Sequence, residues 1–243
     1  MKKHLLRLST LFLLQLLHSL TAEPLFECSP TVAAVKVDEE SKVKKEEGKN
    51  YGQQRNQHFL RPRRYAIEGS FWGVREILYK IARPSKKLKK EEAEEVFRRA
   101  FMVWEEKTNL RFVYSPEGHA HISVIFTEGA HGDNEPFDGP GRILAHAFFP
   151  RYGGDIHFDD AEPWSVDKNV GLDLYMVAVH EIGHALGLKH SREEKAVMAE
   201  FYQTYTGNAI HLYHDDLLAV ARLYDPRGAE KAEGGGGVEK SKG

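Results

Sequence analysis

Residues 180–190, HEIGHALGLKH, contain three histidines and one glutamate. His180 and His184 are four residues apart, so on a helix both imidazoles project from one face and can share a metal ion. Gly187 can adopt the left-handed conformation that ends a helix, and His190 would then reach the same ion from outside the helix. Three histidines leave the fourth position of a zinc ion for water, which is typical of a catalytic site.

Glu181 lies about 100° round the helix from His180, where it can reach a metal-bound water more easily than the metal itself. Zinc lowers the pKa of such a water to about 7. Glu181 would accept a proton as the water attacks a peptide carbonyl, and would deliver it to the leaving amine. The pattern predicts metal-dependent peptide hydrolysis, because histidines that only cross-linked a helix end would need no glutamate.

Composition and the N-terminus bound the class of protein. The chain has 243 residues, 41% hydrophobic and 29% charged, which suits one soluble domain with appendages. A net charge of −2 gives no indication of a nucleic-acid partner, and thirteen histidines suggest metal. Residues 1–22 have a basic start and an apolar run too short to span a membrane, so we expect a cleaved signal peptide, a secreted protein and no membrane anchor.

Residues 23–64 are predicted to be a short pro-segment with a mixed-charge, solvated run. The segment ends in RPRRYAIEG, whose Arg61, Arg63 and Arg64 match the Arg-x-x-Arg pattern of furin-like convertases. We expect cleavage after Arg64, although a basic surface loop is the alternative. Globular patterning covers residues 65–226, and a glycine-rich, flexible tail covers residues 227–243.

Hydrophobic periodicity predicts the elements of the globular region. Helical spacing is found at 89–109, 173–187 and 214–225, and strand patterns are found at 75–82, 110–115, 120–126, 142–149 and 154–158. This order predicts one mixed α/β (α+β) domain in which helices back a sheet.

The motif HEIGHALGLKH and the later AVMAEFY (196–202) resemble the metzincin zinc endopeptidases, with Met198 matching their methionine turn. Residues 131–150 and 153–164 narrow the resemblance to the matrix metalloproteinase (matrixin) family, in a minimal, matrilysin-like architecture that covers residues 64–226. The resemblance implies a metzincin catalytic domain: a twisted mixed five-stranded sheet, three helices and a zinc cleft. A peptide substrate would add by main-chain hydrogen bonds to the edge strand ILAHAFF (143–149).

The resemblance also implies two further metal sites. A closed, structural zinc site would be formed by His131, Asp133, His146 and His157. A calcium site would be formed by the carboxylates of Asp138, Asp159 and Glu162 and the backbone carbonyls of Gly139, Gly141 and Ile143. His121 stands where the family often has an aspartate, which puts a second calcium ion in doubt. Singly, each of these residues could be an ordinary turn residue.

The sequence departs from the family in the segment that keeps the enzyme latent. In the family, the cysteine of a PRCGxPD segment usually binds the open position of the catalytic zinc. This chain has no such segment, and its one cysteine is Cys28 in FECSPT. Two interpretations stay open: Cys28 acts as an unusual zinc thiolate, or latency depends on the segment sterically, weakly or not at all. The single cysteine excludes an intrachain disulfide.

Two further residue roles and a set of partners follow from the resemblance. Met176 and Tyr202 would line a hydrophobic S1′ pocket of medium depth. The ammonium of Tyr65, created by cleavage, would pair with Asp215, which is equally suited to an ordinary acidic helix start. The implied partners are protein or peptide substrates of the extracellular matrix, the convertase and a tissue-inhibitor-type protein, with the chain itself a monomer. The alternative is a non-enzymatic, zinc-stabilised extracellular binding protein derived from a protease, in which Glu181 or a zinc histidine would be lost; here they are intact.

Overall fold

The computed structural model describes residues 66–167, 170–202 and 210–225, together with the backbone of residues 32–36. The predicted signal peptide, the rest of the pro-segment with Cys28 and Arg64, Tyr65, and the tail lie outside the described residues. Among the residues that are described, no helix has the length and apolar character needed to cross a membrane.

A single large sheet forms the centre of the fold, and its strands follow the order β1-β5-β6-β4-β2-β3. Strands β2, β3, β4 and β6 are mutually parallel, whereas β5 is antiparallel to β6 and β1 is antiparallel to β5. The strands are β1 (Val32–Lys36), β2 (Glu76–Arg83), β3 (Arg111–Tyr114), β4 (Ile122–Thr127), β5 (Ile143–Phe148) and β6 (Ile156–Asp159). A separate two-stranded sheet pairs β7 (Trp164–Ser165) with β8 (Leu172–Asp173).

Three helices complete the domain: α1 (Lys90–Glu105), α2 (Leu174–Ala185) and α3 (His214–Tyr224). Helix α1 turns one apolar face to the sheet, where Phe97 meets Phe126 and Phe158 edge-on. Its last turn is tied to α2, because the buried Trp104 donates its indole N–H to the carbonyl of Val179 at 2.9 Å. The core between sheet and helices therefore fixes the position of α2, which is itself buried on almost every side.

The predicted fold is confirmed: in the described part of residues 66–225, the large sheet has five strands and the domain has three α-helices. The observed bounds differ from the predicted ones by at most a few residues; helix α1 ends at Glu105 rather than at 109. The sequence analysis missed β1, which lies in the predicted pro-segment and adds a sixth strand beside β5.

Candidate metal centres

Helix α2 carries the first half of the motif, and both of its ends are well defined. Asp173 caps the N-terminus by accepting a hydrogen bond from the N–H of Tyr175 at 2.9 Å. At the other end Gly187 has φ +98°, as predicted, and Leu188 N–H donates to the carbonyl of Gly183 at 3.0 Å. The chain therefore leaves the helix in a fixed direction that brings His190 back towards it.

Three imidazoles converge at this point, and their tautomers can be read from their partners. His180 Nδ1 donates to the carbonyl of Val197 and His184 Nδ1 donates to the carbonyl of Leu188, each at 2.7 Å. Both Nε2 atoms are then unprotonated, yet they lie only 3.0 Å apart. The ring of His190 lies 4.7 Å from that of His184, and the ligand nitrogens of all three residues lie within 4.8 Å of one another. Facing lone pairs at this distance repel unless a cation lies between them, so the donor set fits a bound metal ion.

Electrostatics hold these histidines in the state that a metal requires. Burial, with the neighbouring His190, lowers the pKa of His180 to about 3. Burial and the other two imidazoles lower the pKa of His184 well below its usual value. The side chains are therefore neutral at physiological pH and need not release a proton before they bind a metal ion.

Glu181 is fully buried in the turn of α2 between the two helical histidines, and it is not one of the grouped ligand residues. A buried carboxyl beside a metal site is a candidate for proton transfer. The role of Glu181 in proton transfer stays a prediction.

Met198 lies directly beneath α2, with 1% of its side chain exposed. A Cβ atom added to Gly183 would collide with Met198 and come within 2.9 Å of the Trp104 ring, so only glycine permits this packing. Asp216 fixes the turn, since its carboxylate accepts from the N–H groups of Val197 at 2.9 Å and Met198 at 3.1 Å. Sequence reasoning missed Asp216; the only signal was its place beside Asp215 at the start of α3.

A second cluster lies at β5 and β6, which carry His146 and His157, and has a different composition. Asp133 Oδ2 is 2.8 Å from one nitrogen of each of three imidazoles, those of His131, His146 and His157. The nitrogens of His131 and of His146 are each 3.1 Å from that of His157. Four atoms at tetrahedron corners with such edges have a centre about 1.8 Å from each corner, close to the ~2.0 Å of a zinc bond.

The ionisation of this second cluster also favours a metal ion. Burial alone would raise the pKa of Asp133, but the Glu135 N–H and the facing His146 lower it to about 2. Burial and the neighbouring His157 lower the pKa of His146 to about 4. One carboxylate and neutral imidazoles are the ligand forms that zinc binds. Because His146 lies on β5 and His157 on β6, a metal ion here would join the 129–141 loop to the sheet.

Hydrogen bonds link the loop of the predicted calcium residues to Asp159 and Glu162. Gly139 N–H donates to Asp159 Oδ2 at 3.2 Å, and Gly141 N–H donates to Glu162 Oε1 at 2.6 Å. Asp138 Oδ1 accepts from Ile143 N–H at 3.4 Å, where β5 begins. Burial, with the nearby charges of Asp159 and Asp138, raises the pKa of Glu162 to about 7. A divalent cation would relieve this accumulation of carboxylates, as oxygen-rich calcium sites do.

Comparison with known proteins bears on the class of the domain. The family model described as Matrixin matches residues 71–225, well over half of the chain. The chain belongs to the matrixin family. Matrix metalloproteinase-16 of Homo sapiens is 43% identical over 178 residues, covering 69% of this chain and 29% of that protein. Stromelysin-3 of Xenopus laevis is 46% identical over 166 residues, covering 68% of this chain and 34% of that protein. Macrophage metalloelastase of Oryctolagus cuniculus is 43% identical over 155 residues, covering 63% of this chain and 33% of that protein.

Family membership confirms the predicted class, that of the zinc metalloendopeptidases. This matrixin chain spans about a third or less of the length of the curated relatives it matches. What the whole protein acts on, and with which partners, is therefore taken up as a proposal below.

The structure describes the residues of the predicted specificity pocket and Asp215, the predicted partner of the mature N-terminus. Met176 and Tyr202 line one shallow pocket together with His180, and the Tyr202 hydroxyl accepts from the Asp173 N–H at 3.1 Å. Asp215 is buried and accepts a hydrogen bond from the hydroxyl of Ser191, the residue that follows the motif. Tyr65 lies outside the described residues, so its pairing with Asp215 stays a prediction.

Proposed function

We propose that this chain is a secreted zinc endopeptidase that hydrolyses peptide bonds of extracellular matrix proteins. The observation that carries the proposal is the convergence of three imidazoles, two of them kept neutral by burial, at a helix that also carries the buried Glu181. His180, His184 and His190 would hold the catalytic zinc. When bound, zinc supplies a Lewis acid that polarises the peptide carbonyl and acidifies a water ligand.

Glu181 would move the proton during hydrolysis. Its fully buried carboxyl is shielded from bulk water, which strengthens its interactions with charge that develops nearby. It would accept the proton of the attacking water and donate it to the leaving nitrogen. The Val197 and Leu188 carbonyls keep the two helical imidazoles in the tautomer that presents Nε2.

Strand β5 would bind the substrate backbone. Among the strands that residues 66–225 contribute, β5 lies at one edge of the sheet. Phe149, which follows β5, packs edge-on against His184, with ring centroids 6.1 Å apart. A peptide added to this edge would run past the histidine cluster with its side chains alternating between the two faces. The residue after the cut would enter the pocket lined by Met176 and Tyr202.

The second zinc and the calcium ion would act structurally, at the two ligand sets already described. Four protein ligands leave no position for water, so the His131, Asp133, His146 and His157 site would stiffen β5 rather than catalyse. The calcium ion, at Asp138, Asp159 and Glu162 with the Gly139, Gly141 and Ile143 carbonyls, would neutralise the loop that leads into β5.

Maturation would begin with removal of residues 1–22 and continue with convertase cleavage after Arg64. Lys189 N–H donates to the Ala66 carbonyl at 2.9 Å, and Ile67 pairs with Leu188, so the chain enters the domain beside the motif. Tyr65 is two residues before Ile67, and Asp215 accepts a hydrogen bond from Ser191, three residues after Leu188. This proximity supports the predicted pairing of the Tyr65 ammonium with Asp215. A tissue-inhibitor-type protein would block the same cleft.

The test uses full-length protein cleaved by a furin-like convertase and a quenched peptide of matrix-protein sequence. We expect cleavage of the peptide, its loss on adding a zinc chelator, and its recovery on restoring zinc. Zinc bound in the expected amount without any chelator-sensitive cleavage would instead identify a zinc-stabilised binding protein.

A further inference from the structure

Strand β1 lies along the outer edge of β5, the edge that we assign to the substrate. The two strands are antiparallel, and the pairs are Val32 with Phe148, Ala33 with Ala147, Ala34 with His146, Val35 with Ala145, and Lys36 with Ile143. The register shifts between Val35 and Lys36, which leaves Leu144 without an opposite residue. The pairing covers the whole length of β5.

The position of β1 brings it close to helix α2 as well as to β5. The inner edge of β5 is taken by β6, so β1 uses the main-chain groups that would otherwise face solvent. Strand β1 also contacts helix α2, which carries His180 and His184. The segment thus bridges the two walls of the proposed cleft, the edge strand on one side and the zinc-binding helix on the other.

We propose that Val32–Lys36 is an internal strand ligand, which occupies the substrate edge of the uncleaved chain and keeps the enzyme latent by main-chain pairing. The inference rests on the proposed function, because it assigns β5 to the substrate. Strand addition draws its affinity from backbone hydrogen bonds and requires no particular side chain. A segment without the PRCGxPD sequence can therefore block the cleft, and Cys28 need not reach the metal.

Covalent connection explains how so short a strand can compete with substrate. While residues 37–65 join β1 to the domain, binding is intramolecular and its effective concentration is on the order of millimolar. Cleavage after Arg64 would convert the strand into part of a separate peptide. Five paired residues give little free energy beyond the cost of association, so that peptide would dissociate at micromolar protein concentration.

The test compares uncleaved full-length chains that all carry Arg61→Ala and Arg64→Ala. One variant adds Ala33→Pro and Ala34→Pro; adjacent residues of a strand point their N–H groups in opposite directions, so one of the two prolines removes a donor to β5. The matched control adds Val43→Pro and Gly48→Pro, two prolines in the same segment outside β1. A third chain adds Cys28→Ala. The measurements are kcat/KM on the quenched peptide, the melting temperature, and hydrogen exchange of the peptide spanning residues 143–148.

We expect the Ala33→Pro/Ala34→Pro chain to gain at least tenfold in kcat/KM and to exchange faster at residues 143–148, with its melting temperature showing that it is folded. The Val43→Pro/Gly48→Pro and Cys28→Ala chains should stay within twofold of the parent chain in both quantities. Unchanged activity and exchange in the Ala33→Pro/Ala34→Pro chain would overturn the inference, and so would full activation by Cys28→Ala alone.

Failure of the inference and failure of the proposed function give different results. If the inference fails because β1 does not pair with β5, the hydrogen exchange of residues 143–148 is the same in the parent and proline chains, whatever their activity. If the domain is not a protease, every chain, including the convertase-cleaved one, is inactive, while the exchange difference persists.

Discussion

The two histidine clusters differ in their ligands and in the elements that hold them. The His180 cluster is built from three imidazoles, two of them from one buried helix and oriented by backbone carbonyls. The Asp133 cluster combines a carboxylate with three imidazoles, and its ligands come from one loop and two strands. The first has a buried glutamate beside it and only three ligands, whereas the second has a closed set of four.

This difference separates chemistry from stability. A zinc ion held by three neutral ligands keeps its full charge and an open position, which are the properties that activate water. A carboxylate ligand cancels part of that charge, and a fourth protein ligand fills the open position. The same metal would therefore catalyse at the helix and only join loop to sheet at the strands.

The largest expected effect is on the catalytic side of the comparison. Glu181→Gln should lower kcat/KM by about 10³-fold, because the amide has the size of the carboxyl but cannot accept the proton. Zinc content and melting temperature should stay close to those of the parent protein. Glu194→Gln, on the exposed loop after the motif, is the matched control and should keep its activity. A Glu181→Gln enzyme within tenfold of the parent would assign the proton transfer to another group.

The second prediction concerns stability at the strand cluster. Asp133→Asn removes the one charged ligand and should lower the melting temperature by about 10 °C, since loss of a metal site is among the most destabilising changes. At temperatures where the variant is folded, kcat/KM should fall by less than about threefold. Glu135→Gln, on the same loop, should have little effect on either quantity. A large loss of activity at unchanged melting temperature would give the second cluster a catalytic role.

The third prediction follows from the raised pKa of Glu162. In calcium-free protein the carboxyl is more basic folded than unfolded, so folding stability is lost as pH rises from about 4.5 towards about 7. Calcium pairs with the ionised form and should restore that loss. Adding calcium should therefore raise the melting temperature by about 5 °C at pH 7.5 and by clearly less at pH 5. Equal shifts at the two pH values would show that Glu162 does not bind the ion.

The smallest effect is expected in the pocket beside the catalytic cluster. Met176→Ala would deepen the space that Met176 and Tyr202 share, so longer apolar side chains should be favoured after the cut. In a library varied at P1′, the preference for phenylalanine over leucine should rise about three- to tenfold. An unchanged order of preference would show that Met176 does not determine the P1′ specificity.

The parts of this molecule that local sequence determines were predictable. Helix α2 follows from apolar periodicity and ends where Gly187 takes positive φ, and the spacing of His180 and His184 puts both on one face. The second cluster could not be derived from spacing, because His131 and His157 meet only through the register of β5 and β6 with the loop before them. That site was predicted through the family resemblance.

Strand β1 shows where local reasoning ends. Its residues VAAVK come just before the mixed-charge run and include two valines, but five residues without apolar–polar alternation do not by themselves specify a strand. Their extended conformation depends on the free edge of β5, more than a hundred residues away in the sequence. Asp216 is similar: its role comes from the Val197 and Met198 amides that fold back onto it.

The division of roles between the clusters can be tested in one comparison: kcat/KM and melting temperature measured on the same preparations of Glu181→Gln, Asp133→Asn and the double variant. If chemistry and stability are separate, the double variant has the activity of Glu181→Gln and the melting temperature of Asp133→Asn. If Asp133→Asn alone lowers kcat/KM as far as Glu181→Gln does, in protein that is still folded, the two clusters act as one site and the division is wrong.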